Sequence, residues 1–306
     1  MMQPRIVIRA DASETIGIGH VMRSLTLGSE LVRRGIDVTL ATNCLPHSLG
    51  VRAWQYGVTV LEGERAPADA FTVVDGYEIA APAGPHAVID DNREAAVEGA
   101  RLVLNQNLHA TEAMYADLPS RTRLLLGPEY ALLRSELQPR RGPVRRDASR
   151  VVVAMGGADP GGCTEPILDA LRADTNIELR VAIGAANPRR GAIEARGVVL
   201  DRGDLVESLA WADVAVIAAG TTLWEVGYVG VPAIAVVVAD NQAAGAKAAS
   251  ARGFVQLAEL DDVASAVREL LADTEQRQAM RGAGQACFDG CGTARVADAL
   301  IGVMDA

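Results

Sequence analysis

The chain repeats one pattern along its 306 residues: a short apolar segment, a turn with polar residues, then a segment with helical periodicity. In the first half the apolar segments are residues 5–9, 36–42, 58–61, 71–75, 86–91, 101–107 and 122–127. Apolar strands that alternate with helices are typical of a parallel α/β sheet. Ligands of such sheets lie beyond the carboxyl ends of the strands. We therefore expect one rim to carry Asp11, Asp75, Tyr77, Asp90 and Asn105.

A second α/β pattern follows a basic segment. Its apolar segments are residues 150–155, 177–184, 198–200, 214–219 and 231–238, and the chain from residue 261 onward is helical in pattern. The segment 137–149 has prolines and arginines but little periodicity, which indicates a solvated interdomain linker; the alternative is that its arginines bind a phosphate. We expect domains at residues 1–143 and 144–306, with a return of the last helix to the first domain left open. Two such domains predict a cleft, a frequent place for small-molecule sites.

Composition excludes some classes of partner. The formal net charge is -10, with 39 acidic and 29 basic residues, which argues against nonspecific binding of DNA or RNA. The sequence shows no long apolar segment for a membrane span and no signal peptide, so we expect a cytoplasmic protein without a membrane partner. The four cysteines lack a CxxC pattern and are expected to be free thiols. The oligomeric state is not predicted.

The loop after the first strand contains Gly17, Ile18, Gly19 and His20 and leads into a helical segment. A strand, a glycine-bearing loop and a helix start leave backbone N–H groups free to bind an anion. Histidine titrates nearest neutral pH, so His20 is a candidate general base. The alternative is that the glycines form a tight turn and His20 only caps the helix.

A second candidate site begins at Gly220. The glycine allows close approach of a phosphate, Thr221 and Thr222 supply hydroxyl groups, and a helix N-terminus follows. Glu225 fits either a contact with a ribose diol or a capping box with Thr222. The Walker motif is absent, and Met22 stands where a Rossmann fingerprint would place its third glycine, so kinase, ATPase and dehydrogenase functions are not expected.

Two further patterns have a functional and a structural interpretation. Gly156, Gly157 and Asp159 form either an anion-binding nest at a helix start or an ordinary turn. Asp90 and Asp91 are adjacent on a strand and therefore point to opposite faces, which argues against a shared metal ion. We expect neither a metal nor another cofactor.

With these residues described, the chain resembles the UDP-2,4-diacetamido-2,4,6-trideoxy-β-L-altropyranose hydrolases of pseudaminic acid biosynthesis, relatives of glycosyltransferase B-type enzymes. The matching segments lie in order along nearly the whole chain. They are RADASETIGIGHVMR (9–23), VVDGYEI (73–79), VIDDNREAAVEGARLVLNQN (88–107), LLGPEYALLRSEL (125–137), VVVAMGGADPGG (151–162), WADVAVIAAGTTLWEVGYVGVPAIAVVVADNQ (211–242) and GCGTARV (290–296). The resemblance implies two Rossmann-like domains facing across a cleft.

The resemblance also implies a chemistry. His20 would activate water to attack the anomeric carbon with inversion and without a metal, and Tyr77 would lie beside it. Gly220, Thr221, Thr222 and Glu225 would bind the diphosphate and ribose of UDP, while Asn241 and Gln242 would line the sugar or diphosphate region. Ala80 stands where the family often has aspartate, so the resemblance does not fix the amino-sugar contacts or the exact substrate. The alternatives are a glycosyltransferase of the same fold and a noncatalytic module that binds nucleotide sugars.

Overall fold

The structure, a computed structural model, describes residues 5–13, 17–63, 70–157, 159, 161–184, 187–196, 199–200 and 205–304. The chain forms two compact units, one of Met1–Arg134 with Gly290–Ala306 and one of Ser135–Asp289. The division differs from the expected boundary after residue 143, because residues 135–143 belong to the second unit. The last helix, placed by sequence in the second domain with a return to the first left open, belongs to the first unit.

The first unit contains a seven-stranded parallel sheet. Its strands are β1 (Arg5–Ala10), β2 (Asp37–Thr42), β3 (Thr59–Glu62), β4 (Phe71–Asp75), β5 (His86–Ile89), β6 (Leu102–Asn105) and β7 (Arg123–Leu126). They lie in the order β3-β2-β1-β4-β5-β6-β7. The carboxyl ends of β1, β4, β5 and β6 are therefore neighbours at one edge of the sheet.

Helices cover one face of this sheet. They are α1 (Gly19–Arg33), α2 (His47–Gln55) and the closing helix of the chain, α10 (Gly292–Met304). Leu25 of α1 and Leu300 of α10 pack with Ile6 and Ile8 in one apolar core, and all four side chains are buried. Since alternate residues of a strand face opposite sides of a sheet, Val74 and its neighbours form a separate cluster on the other face.

That other face lacks regular α-helices in the range 70–157, which the structure describes throughout. The connections after β4, β5 and β6 are loops with one short 3-10 helix, Glu112–Tyr115. In the first of these loops Pro82, Gly84 and Pro85 oppose helix formation, because proline lacks the N–H donor and glycine carries a large entropic cost. The cluster around Val74 and Tyr115 covers the sheet there.

The second unit contains a six-stranded parallel sheet. Its strands are β8 (Arg150–Ala154), β9 (Glu178–Val181), β10 (Val199–Leu200), β11 (Val214–Ala218), β12 (Ala233–Val236) and β13 (Val255–Leu257). Its helices are α3 (Thr164–Leu171), α4 (Arg190–Glu194), α5 (Leu205–Trp211), α6 (Thr222–Val229), α7 (Ala243–Ala251), α8 (Val263–Ala272) and α9 (Thr274–Cys287). The strand order is β10-β9-β8-β11-β12-β13.

Both sheets have the strand order of a doubly wound Rossmann-like sheet. The first three strands are added in one direction across the sheet, and the fourth then lies on the other side of the first. The predicted α/β class is confirmed. Residues 14–16 of the opening loop, and Ala158 and Pro160 of the glycine loop, lie outside the described residues. Among the described helices, none combines the length and the apolar character needed to cross a bilayer.

The basic segment 137–149 is solvated only in part: Arg141, Arg145 and Arg146 are exposed as expected, but other residues of the segment pack against the rest of the second unit. Leu137 and Val144 are buried, and the Arg140 N–H donates to the carbonyl of Val229 at 2.9 Å. The Arg140 guanidinium donates to the carbonyl of Leu209 at 2.7 Å. Carbonyl groups in the last turn of a helix lack helical partners and attract cations, so Arg140 binds the end of α5 with its guanidinium and the end of α6 with its backbone N–H.

Candidate active site

His20 is the second residue of α1, at the point where the opening loop enters the helix. Gly17 adopts a φ of 82°, which glycine tolerates, and the helix begins at Gly19. The N-cap residue is Ile18, and it makes no side-chain capping hydrogen bond. The imidazole instead places Nδ1 2.7 Å from Oδ1 of Asp75. The structure therefore does not support a capping role for His20.

Asp75 is the last residue of β4, and its side chain is fully buried. Besides His20, its carboxylate accepts hydrogen bonds from the Arg23 guanidinium, with Nη2 2.6 Å from Oδ1 and Nε 2.9 Å from Oδ2. The Ser24 hydroxyl donates to Oδ2 at 3.0 Å. A buried carboxylate is stable only when such partners replace water, so Asp75 has the environment of a fixed anion.

Arg23 links Asp75 to a second carboxylate. Its Nη1 lies 2.9 Å from Oδ1 of Asp91 and its Nη2 3.0 Å from Oδ2, which is the bidentate geometry of a strong ion pair. The Tyr77 hydroxyl donates to Oδ2 of Asp91 at 2.7 Å, and the Asn107 amide donates to Oδ1 at 2.8 Å. The rings of Tyr77 and His20 meet edge to face with centroids 5.0 Å apart.

The sequence predictions of site residues missed Arg23, Asp91 and Asn107. Arg23 follows His20 by three positions, and residues so spaced in a helix share one face. That spacing, together with carboxylates at strand ends, is the signal that could have identified Arg23. Asp91 had been considered only as half of a metal pair, and nothing in the local pattern of Asn107 distinguishes it from a loop residue.

Electrostatics keeps the three buried charged groups ionised. Burial alone would raise the pKa of Asp75, but the charge of Arg23, and then that of His20, holds this pKa below its usual value. Burial would likewise raise the pKa of Asp91, and Arg23 holds it well below the usual range. Burial would lower the pKa of Arg23, yet the two carboxylates raise it well above its usual value.

The ionised state of Asp75 sets the role of each His20 nitrogen. A carboxylate only accepts hydrogen bonds, so Nδ1 of His20 carries the hydrogen that lies between the two groups. In a neutral imidazole the other nitrogen, Nε2, then has a free lone pair and can accept a proton. With a side chain 12% exposed, His20 combines a fixed orientation with partial access to solvent. The arrangement is that of an oriented general base.

The predicted rim of polar residues is confirmed around this site. Asp90 accepts hydrogen bonds from the backbone N–H groups of Glu94 and Ala95 and from the Tyr115 hydroxyl, at 2.5 Å for the last. The Asn105 amide donates to the backbone carbonyl of Asp91 at 2.7 Å. Asp90 therefore organises the loop that follows β5, while the adjacent Asp91 side chain binds Arg23.

Asp11, a predicted substrate ligand, follows β1 at the same rim. Its carboxylate pairs with the Arg9 guanidinium at 2.7 and 2.9 Å and accepts from the Thr42 hydroxyl at 3.0 Å and the Asn43 N–H at 2.7 Å. Burial would raise its pKa, but the bonds from Arg9, Asn43 and Thr42 lower it. These contacts join the ends of β1 and β2, and a direct contact of Asp11 with substrate stays a prediction.

In the second unit, the predicted phosphate-binding residues lie between β11 and α6. The helix begins at Thr222 with Thr221 as its N-cap, and the side chain of Thr221 makes no capping hydrogen bond. Thr222 is thus inside the helix, and the capping box with Glu225 is not formed. A Cβ added at Gly220 would lie 3.8 Å from Nε2 of Gln242, so the structure brings these two predicted residues together.

Asn241 and Gln242 lie in a 3-10 helix, Asp240–Gln242, shortly after β12. The side-chain oxygen of Gln242 accepts from the N–H of Val238 at 3.1 Å, and this bond fixes the amide plane. The amide nitrogen of Gln242 then points its donor groups away from that contact, near Gly220. This region of the second unit joins a helix N-terminus to an oriented amide donor, a combination suited to an anion.

The loop containing Gly157 and Asp159 has an internal acceptor. Asp159 is buried in a left-handed backbone conformation, with φ of 43°, and its carboxylate accepts from the N–H groups of Cys163 and Thr164 at 2.9 and 3.0 Å. The carbonyl of Gly157 accepts from the Gly184 N–H at 3.0 Å. Since Asp159 binds N–H groups at the start of α3, the contacts agree with the turn interpretation of this loop.

Comparison with known proteins supports the fold. No family model matches the chain. The spore coat polysaccharide biosynthesis protein SpsG of Bacillus subtilis is 26% identical over 207 residues, covering 60% of this chain and 61% of that protein. The chain therefore spans less than two thirds of the length of this relative.

Two solved structures cover nearly the whole chain. A glycotransferase of kitacinnamycin aligns with a TM-score of 0.66 and 17% identity, over 99% of this chain and 100% of that one. The UDP-GlcNAc 2-epimerase of Neisseria meningitidis, bound to UDP-GlcNAc, aligns with a TM-score of 0.66 and 9% identity, over 97% and 99%. At such identities the likeness concerns the fold, which is of the glycosyltransferase B type.

Proposed function

We propose that this protein is an enzyme of nucleotide-sugar metabolism that hydrolyses a UDP-linked 2,4-diacetamido-2,4,6-trideoxy sugar with inversion at the anomeric carbon. The observation that carries the proposal is the bond of 2.7 Å between Nδ1 of His20 and Asp75, which leaves Nε2 to act as a base. Support for a sugar substrate comes from the SpsG relative, a polysaccharide biosynthesis protein, and from the UDP-GlcNAc complex among the structural neighbours.

The proposed step forms one bond and breaks one. Water attacks the anomeric carbon while Nε2 of His20 takes its proton, and the bond from that carbon to the diphosphate oxygen breaks with its electron pair. The products are the free sugar with inverted anomeric configuration, UDP and an imidazolium. Asp75 stabilises the imidazolium through Nδ1–H, as the carboxylate of a catalytic triad does.

The proposal assigns the nucleotide to the second unit. Gly220, Thr221 and Thr222 would bind the diphosphate, because the α6 N-terminus offers N–H groups and a favourable dipole. Glu225 would accept from the ribose, and Asn241 and Gln242 would line the sugar or diphosphate region. Diphosphate is a good leaving group near neutral pH, so stabilisation of its charge by these donors reduces the need for a general acid or a metal.

Transfer and epimerisation are the competing activities, because the structural neighbours include a glycotransferase and an epimerase. All three reactions use the same class of substrate. The oriented base favours hydrolysis or another step that begins with proton abstraction. Transfer additionally requires an acceptor, so an assay without acceptor separates it from hydrolysis.

The test is UDP release from UDP-amino sugars without acceptor, with and without EDTA. We expect release that survives EDTA and falls by about a hundredfold to ten-thousandfold in His20→Asn, the loss typical of a missing general base. Asp75→Asn should lose a similar factor, because an amide facing Nδ1 favours the wrong tautomer. His47→Gln, an exposed histidine of α2, serves as the matched control and should keep full activity.

Three outcomes contradict the proposal. Release only after addition of an acceptor indicates transfer, and conversion of the sugar without UDP release indicates epimerisation. Binding of UDP-sugar with no turnover under any condition indicates a noncatalytic binding module.

A further inference from the structure

Arg23 is the residue of the first unit through which both buried carboxylates of the candidate active site are joined. Its side chain is 4% exposed and lies on the same helix face as His20. The guanidinium contacts Asp75 through Nε and Nη2 and Asp91 through Nη1 and Nη2. Its Nη2 also lies 3.1 Å from Nδ1 of His20.

The hydrogens of this guanidinium are already assigned. Nη2 carries two hydrogens, and its two short oxygen contacts are Oδ1 of Asp75 at 2.6 Å and Oδ2 of Asp91 at 3.0 Å. No hydrogen remains for Nδ1 of His20, so the contact of 3.1 Å is not a hydrogen bond from Arg23. Nδ1 must then be the donor toward Asp75, and Arg23, which donates to both oxygens of Asp75, holds this carboxylate ionised as the acceptor that the tautomer requires.

Arg23 also determines the net charge around His20. Among the residues that the structure describes, four titratable or charged groups face the imidazole: Asp75 from β4, Arg23 from α1, Tyr77 after β4 and Asp91 after β5. Two carboxylates and one guanidinium sum to a charge of minus one. That charge stabilises an imidazolium formed during a reaction, whereas without Arg23 a charge of minus two would favour the protonated ring before the reaction starts.

We propose that Arg23 is a positioning residue that acts on His20 through Asp75: it holds this carboxylate ionised as the acceptor for Nδ1 and reduces the negative charge around the ring. The effect of Arg23 on catalysis rests on the proposed function, whereas its effect on the tautomer and the titration of His20 does not. Arg23 neither needs to touch substrate nor to exchange a proton. It keeps one ring nitrogen of His20 as a donor to Asp75 and leaves the other as the acceptor.

The test is a ¹⁵N NMR titration of the histidines in the full-length protein. The chain has four histidines, and the His20 signals are assigned by their loss in His20→Gln. Above its titration, His20 should show a protonated Nδ1 and an unprotonated Nε2. In Arg23→Gln the midpoint of the His20 titration should rise by about one pH unit or more, and in Asp91→Asn it should fall, because these changes remove charges of opposite sign.

Arg33→Gln is the matched control, since it removes the same charge from an exposed position of the same helix. The proposal is overturned if His20 carries its hydrogen on Nε2, or if Arg23→Gln moves the midpoint no more than Arg33→Gln does. If circular dichroism shows that Arg23→Gln does not fold, two measurements still test the proposal. They are the tautomer of His20 in the unchanged protein and the downward shift of the His20 midpoint in Asp91→Asn.

Activity provides a separate readout. If the unchanged protein releases UDP, kcat/KM should begin to decline on the acid side at a higher pH in Arg23→Gln, in parallel with the NMR midpoint. If the unchanged protein releases no UDP, the proposed function fails, while the titration still reports on Arg23. The two failures are therefore distinguishable.

Discussion

At the scale of single residues, the candidate active site depends on charges that water does not screen. Arg23 and Asp75 are buried, and Asp91 is nearly so, which makes each the necessary partner of the others. Loss of one partner from such a set typically costs about 3–5 kcal/mol, because it leaves a buried charge uncompensated. The same residues that orient His20 therefore also stabilise the first unit.

This coupling predicts that stability decreases in acid. Asp75 and Asp91 have folded-state pKa values below the unfolded value of about 3.9, so their stabilising contribution is complete above that value. It is lost as the pH falls below about 4 toward the folded values, where the unfolded chain binds more protons. Urea unfolding between pH 6 and about 3 should show a steep decline in the free energy of unfolding, and a shallower one in Asp91→Asn.

Asp261→Asn is the control for that titration, because Asp261 is an exposed carboxylate of the second unit. Its decline should match that of the unchanged protein. Equal slopes in Asp91→Asn and the unchanged protein would contradict the linkage of Asp91 to acid unfolding.

At the scale of elements, helices α6 and α9 approach each other through glycines. A Cβ added at Gly284 of α9 would lie 2.8 Å from the carbonyl oxygen and 2.9 Å from the Cα of Gly227 in α6. Backbone atoms cannot move aside as a side chain does, so this contact requires glycine. A glycine in a helix is unfavourable by propensity alone, and close packing compensates for that cost here.

Two alanine substitutions in the same helix test this contact. Gly284→Ala should lower the free energy of unfolding by about 1–3 kcal/mol, since the added methyl group forces the helices apart. Gly282→Ala, whose Cβ would enter open space, should leave stability unchanged or raise it by up to about 1 kcal/mol. Urea or thermal unfolding measures both, and equal effects of the two substitutions would refute the close approach.

At the scale of the whole molecule, the last segment of the chain belongs to the unit that contains the first. Val296, Ala297, Ala299 and Leu300 of α10 are buried in the core of β1 and α1. Thr293 donates to the carbonyl of Leu133 at 3.1 Å, and a Cβ at Gly292 would lie 2.3 Å from the carbonyl oxygen of Ala131. The first unit therefore cannot be complete without residues from the end of the sequence.

Hydrogen exchange of the full chain tests this assignment. Leu300→Ala should cost about 2–5 kcal/mol and accelerate exchange in β1, β4 and α1 more than in β8 and β11. Leu168→Ala, an equally buried leucine in the core of the second unit, is the reciprocal control and should reverse the pattern. Faster exchange in β8 and β11 than in β1 after Leu300→Ala would contradict the assignment of α10 to the first unit.

Much of the architecture could be predicted because it depends on local patterns. Apolar runs followed by polar residues identified the strands around Asp75 and Asp90, and parallel order then places their carboxyl ends together. The prediction that the basic segment 137–149 is solvated failed in part, because Arg140 binds carbonyl groups at distant helix ends, which no local pattern reports. The same holds for α10, whose helical pattern does not say which core it enters.

The sequence by itself determined the α/β class, the rim of polar residues and the presence of a histidine at a helix start. Only the tertiary structure decided what that histidine does. Asp75 lies 55 positions from His20, and Asp91 lies 68 positions from Arg23, yet their side chains share hydrogen bonds in a buried network. Hydrogen-bond partners and buried charges depend on distance in space, which the order of residues along the chain does not encode locally.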